Sequence, residues 1–101
     1  MDYACITITK RDGSKENFSI EKIERAIAKA YRADGMNDDE TSIKQVTAEV
    51  AAAIDRENIS VEEIQDLVER KLMMRNPSVA KKFIIYREWR TKEQLQDRKS
   101  V

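Results

Sequence analysis

A chain of 101 residues, 41% of them hydrophobic, can enclose one modest core and is too short for two. Its charged residues reach 38%, yet nineteen basic and nineteen acidic side chains cancel, so no global field draws the chain to DNA, RNA or an anionic membrane and any anion site has to be local. One cysteine and no histidine exclude a disulfide framework, a Cys/His zinc site and a histidine-activated nucleophile.

The stretch from about Ala4 to Phe18 predicts a β-hairpin, because Ile6-Thr7-Ile8-Thr9 alternates apolar and β-branched polar residues and Asp12-Gly13 is a strong turn dipeptide. Cys5 reads as a small strand residue rather than a reactive thiol. A two-residue loop at Asp12-Gly13 would set polar Asn17 and Ser19 opposite Ile8 and Ile6. A three-residue loop, Arg11 to Gly13 with Gly13 left-handed, pairs Ile6 with Phe18 and Ile8 with Glu16 and keeps one face apolar, so it is the preferred register. Lys10 and Glu16 then share that face at its open end, where they form a pair at the rim or line a pocket.

Ser19 is a natural N-cap for a helix from about Ile20 to Ala33, with Ile20, Ile23, Ile27 and Tyr31 on one stripe and Gly35 as its stop. A second helix starts between Asp38 and Ser42, runs to about Asp55, and turns Ile43, Val46, Val50, Ala53 and Ile54 inward. For the third, Ser60 and Glu63 form a capping box, and Ile59 and Ile64 stand at the staple positions. Ile64, Leu67, Val68 and Leu72 supply its buried stripe. Asn76-Pro77 ends that helix and opens the next, whose Val79, Phe83, Ile84 and Tyr86 face inward. From Thr91 to Val101 the only sizeable apolar residues are Leu95 and Val101, which suits a solvated helical extension, a linker or the cut end of a larger protein. Two strands are marginal alone in water, so the hairpin must cover one face of a four-helix cluster, an α+β fold.

Lys22 is the anomaly. The first turn of a helix carries partial positive charge, and a lysine there costs about 0.3–1 kcal/mol. A phosphate would offset this, accepting from free N–H groups near Ser19 and pairing with Lys22 and with Lys10 or Arg11 from the hairpin. The plainer alternative is a solvated lysine whose stem covers apolar surface.

Four segments, in this order and spacing, sharpen the choice: Thr9-Lys10-Arg11-Asp12-Gly13, Phe18-Ser19-Ile20-Glu21-Lys22-Ile23, Val61-Glu62-Glu63-Ile64-Gln65-Asp66-Leu67-Val68-Glu69 and Val79-Ala80-Lys81-Lys82-Phe83-Ile84-Ile85-Tyr86-Arg87. Together they make the chain, from about Ile6 to Lys92, resemble the ATP-cone, a domain of many ribonucleotide reductase subunits and of a bacterial repressor of reductase genes. The resemblance implies a regulatory domain over residues 1–92, a four-helix bundle capped by a small β-sheet built on the N-terminal hairpin, with 93–101 a charged tail or linker. It implies ATP or dATP bound between sheet and helices, with Mg²⁺ carried by the triphosphate.

By position, the resemblance makes Ile8 and Ile23 apolar contacts, gives Lys10, Arg11 and Lys22 to the phosphates, and sets Glu16 and Ser19 on the adenine edge. A carboxylate accepts from the adenine amino group where guanine presents a carbonyl, so Glu16 has a reason to select A over G. Val61 and Gln65 fall where family members contact sugar and phosphates. Trp89 aligns near a terminal-helix cation of some relatives, so that Arg87, Arg90 or Lys92 replaces that cation or Trp89 stacks on a ring; core packing of Trp89 and Tyr86 is the preferred alternative.

The implied function is control of the overall activity of a ribonucleotide reductase by changing association among its subunits or with itself. No catalytic or metal residue is assigned, since no Walker-type loop is present. No apolar run reaches the length of a membrane span and Met1–Ala4 lacks a secretory start, so the expected location is the cytoplasm. The rivals are the nucleotide-sensing cone of a transcriptional repressor, which needs a zinc ribbon ahead of it, and a ligand-free helical adaptor in which Lys10, Glu16 and Lys22 make surface ion pairs.

Overall fold

A computed structural model describes residues 6–35 and 40–99, with side chains described as far as residue 89. The expectations resting on Ala4, Cys5, Asp38 and Val101, and on the side chains of Arg90, Lys92 and Leu95, lie outside the described residues. The elements are β1 (Thr7–Thr9), β2 (Lys15–Asn17), α1 (Ile20–Ala33), α2 (Glu40–Ala53), β3 (Asn58–Ser60), α3 (Val61–Arg75) and α4 (Pro77–Lys99). Four helices and a three-stranded sheet make an α+β fold, and no described helix is long and apolar enough to cross a membrane.

The hairpin adopts the three-residue loop. Ile8 pairs with Glu16 and Thr7 with Asn17, and the Phe18 N–H donates to the Ile6 carbonyl at 3.1 Å. Lys10 N–H donates to Ser14 O at 2.8 Å, and Gly13 takes the positive φ of 88° that a side chain would resist. One strand was not anticipated. β3 runs parallel to β1, with Ile8 opposite Ile59, so β1 is the central strand in the order β2-β1-β3. Three residues carry too little alternation to announce a strand, and Ile59 has a sufficient role in sequence as a staple residue.

Each helix packs on two neighbours, α1 on α2 and α4, and α3 on the same pair. The core is the common interior of that ring and the sheet, with Ile6, Ile8, Ile23, Ile27, Val46, Val50, Ile64, Leu72 and Phe83 all buried. Ile20, Leu67 and Ile84 are only half-buried, and Thr47 joins the buried face of α2 by donating its hydroxyl to the Ile43 carbonyl at 2.7 Å. Pro77 opens α4, and the Ser78 hydroxyl donates to Asp34 Oδ1 at 2.6 Å, tying the end of α1 to the start of α4. The backbone stays helical from Thr91 through Lys99.

Trp89 corrects the core expectation. It is 57% exposed, because it lies one turn beyond Ile85, itself 62% exposed, on the same outward face of α4.

Candidate functional site

β1 and β2 form one wall of a cleft whose other walls are α1, α3 and α4. Its inner part, about 150 Å³, is floored by Ile8, Ile23, Ile64, Val68 and Phe83. Its outer part, about 360 Å³, is rimmed by Lys10, Arg11, Glu16 and Lys22. Ala26, Val61, Gln65 and Tyr86 line both, so the two parts are one continuous cleft, apolar within and charged at the mouth. An outer volume of that size lies in the ordinary range for small-molecule pockets, about 300–1,000 Å³.

Hairpin register decides what stands at the mouth. Because Glu16 lies opposite Ile8, its side chain emerges on the face that covers the helices. Its Oε2 accepts from Lys10 Nζ and from Lys22 Nζ, each at 3.2 Å, so one carboxylate oxygen gathers a cation from the hairpin and one from the first turn of α1. Both readings of the Lys10–Glu16 couple hold at once: they pair at the rim, and they line the pocket. Partial burial pushes the Glu16 carboxyl up, but the hydrogen bonds and charges of Lys10 and Lys22 outweigh it and leave the group below its ordinary value.

Arg11 reaches further. Its Nε donates to Glu62 Oε1 at 3.3 Å and its Nη2 to Gln65 Oε1 at 2.8 Å, which ties the turn to α3. Gln65 thereby turns its oxygen to Arg11 and keeps its amide N–H groups as donors. Ser19 stands at the N-cap of α1 with extended backbone, φ −132°, yet its side chain caps nothing and instead donates to Glu21 Oε2 at 3.1 Å. Ser19 thus holds the N-cap position without a conventional side-chain cap, its hydroxyl oriented to Glu21 instead.

Of the positions singled out from sequence, Ile8, Glu16, Ser19, Lys22, Ile23, Val61 and Gln65 line the inner part, and Lys10 and Arg11 the outer. Trp89 lines neither. Sequence reasoning passed over Ala26 and assigned Tyr86 to the core. Ala26 sits one helical turn after Lys22, and a small residue there leaves the space that a larger one would fill. Tyr86 is half-buried, with Lys29 Nζ 5.4 Å from its ring centroid.

An apolar slot that opens onto converging cations suits, by its chemistry, a ligand with an apolar end and an anionic end. The family model of the ATP cone domain matches residues 6–92, and the chain belongs to this family of allosteric nucleotide-binding domains. It is 37% identical over 86% of its length to a ribonucleoside-diphosphate reductase subunit alpha of Chlamydia pneumoniae, covering 9% of that protein. It is 40% identical over 79% of its length to an anaerobic ribonucleoside-triphosphate reductase of Haemophilus influenzae, covering 12%. A vitamin B12-dependent ribonucleoside-diphosphate reductase of Thermoplasma acidophilum is 40% identical over 82% of the chain, again covering 12%. The chain therefore spans about a tenth of the length of these curated relatives.

Proposed function

We propose that this domain binds ATP and dATP in competition and controls the overall activity of a ribonucleotide reductase by changing how its subunits associate. The observation that carries the reading is the meeting of Lys10 and Lys22 at the mouth of an apolar slot, with Arg11 on the same rim. Adenine fits the slot against Ile8 and Ile23, and the phosphates take the ammonium groups. The Glu16 carboxylate and the Ser19 hydroxyl address the adenine edge, and Val61 and Gln65 the sugar and phosphates. Mg²⁺ accompanies the triphosphate, whose oxygens are its usual ligands. A ligand shifts an assembly only by its differential affinity for the two states, so ATP and dATP must differ in contacts near α3 that reach an exposed surface.

Calorimetric titration of the chain with ATP, dATP and GTP tests binding, and mass photometry of the reductase holoenzyme under ATP or dATP tests regulation. Adenine-selective heat and nucleotide-dependent assembly are expected; identical assemblies under ATP and dATP would defeat the regulatory part. One observation favours a second reading. Lys10 and Lys22 already satisfy themselves on Glu16, as a ligand-free adaptor would have them. An adaptor gives no adenine-selective heat, so the same titration separates the two.

A further inference from the structure

A triphosphate bound as proposed above and the Glu16 carboxylate want the same two ammonium groups. Lys10 and Lys22 come from different elements, and what brings them together is one atom, Glu16 Oε2, 3.2 Å from each. Glu16 also lines the inner part of the cleft, beside Ile8 and Ile23. A single side chain thus touches both the anionic and the apolar end of the cleft.

We propose that Glu16 is an internal stand-in for phosphate that couples the two ends of the ligand: an incoming polyphosphate displaces its Oε2 from Lys10 and Lys22, and the released carboxylate then turns to the base. This inference rests on the nucleotide reading of the cleft. Its physical basis is competition between anions. A carboxylate brings one negative charge to the two cations, whereas a polyphosphate brings several and has more acceptor oxygens, so it wins the pair. Once its cations are taken, the carboxylate beside the phosphates must find a donor or pay repulsion, and an exocyclic amino group in the slot is that donor. A guanine carbonyl at the same place would face the freed negative charge. Base choice is therefore read most strongly on ligands that carry the phosphates, and weakly on nucleosides. The depressed pKa of Glu16 agrees with a carboxylate held charged between the lysines.

The test measures affinities of the 101-residue chain for inorganic tripolyphosphate, ATP, GTP and adenosine, in the wild type and in Glu16→Gln, with Glu16→Ala as a second variant and circular dichroism as the check on folding. Removing the competing charge should strengthen tripolyphosphate binding by about two- to thirtyfold, the range of two partly exposed ion pairs. The same variants should compress the ATP-over-GTP preference toward unity, and wild-type protein, titrated with guanosine as well, should bind adenosine with little preference over guanosine. If wild-type protein prefers ATP but tripolyphosphate binds both Glu16 variants no better than wild type, the coupling is overturned and the nucleotide reading stands. If wild-type protein binds neither ATP nor tripolyphosphate, both fall together.

Discussion

Two helices of this bundle begin on a serine, and only one of those serines caps its helix. At the start of α3, Ser60 accepts from the Glu63 N–H at 3.1 Å while Glu63 Oε2 accepts from the Ser60 N–H at 3.4 Å, a closed reciprocal cap. At the start of α1, Ser19 gives its hydroxyl to Glu21 and caps nothing, and a lysine rather than an acid stands in the first turn at Lys22. The start of α3, although its Val61 also lines the cleft, closes its free N–H groups on its own side chains. The uncapped start borders the cleft, where unspent N–H groups and a lysine can both serve an anion. Local rules are broken on the side where a ligand can satisfy them.

The largest effect should come from Lys22→Ala, which is expected to weaken ATP binding roughly tenfold or more, in line with about 1.5–3 kcal/mol for a charge-assisted hydrogen bond, with helical circular dichroism retained. The mirror change, Ser60→Ala, should leave ATP affinity alone and cost about 0.5–2 kcal/mol of stability, read as a lower thermal midpoint. Ser19→Ala reverses that pattern, with a stability change within about 0.5 kcal/mol and a measurable loss in ATP affinity. Equal stability losses at Ser19 and Ser60 would break the contrast between the two helix starts.

The smallest effect is acid dependence at the mouth. Since the Glu16 carboxyl is held below its ordinary value of 4.5, its contribution to stability is present above that value and lost as pH falls through the lowered one. Urea unfolding should show wild type more stable than Glu16→Gln by about 0.2–1 kcal/mol at pH 7, with the gap closing toward pH 3. A gap that widens in acid would reverse the sign.

The contrast also shows where sequence is legible. The hairpin register followed from keeping Ile6, Ile8 and Phe18 on one face, and the α3 cap from residue types at fixed spacing, because both are local relations that a short stretch of chain decides. The bounds of α1, Ile20–Ala33, were readable for the same reason. What stayed hidden depends on distant partners. The parallel pairing of Ile8 with Ile59, the hold of Arg11 on Gln65 and Glu62, and the place of Tyr86 beside the cleft are each made between segments that only the folded bundle brings together. Trp89 misled because a large aromatic raises the expectation of burial that its position on α4 does not honour.

The central place of β1 carries a kinetic consequence. Its bond to β2 closes across a few residues and can form within microseconds, whereas its bond to β3 must wait until two helices have been made and folded back. The first strand of the chain thus gains its second neighbour well after its first, like a clasp whose one half is cast at once and whose catch engages only when the chain has come round.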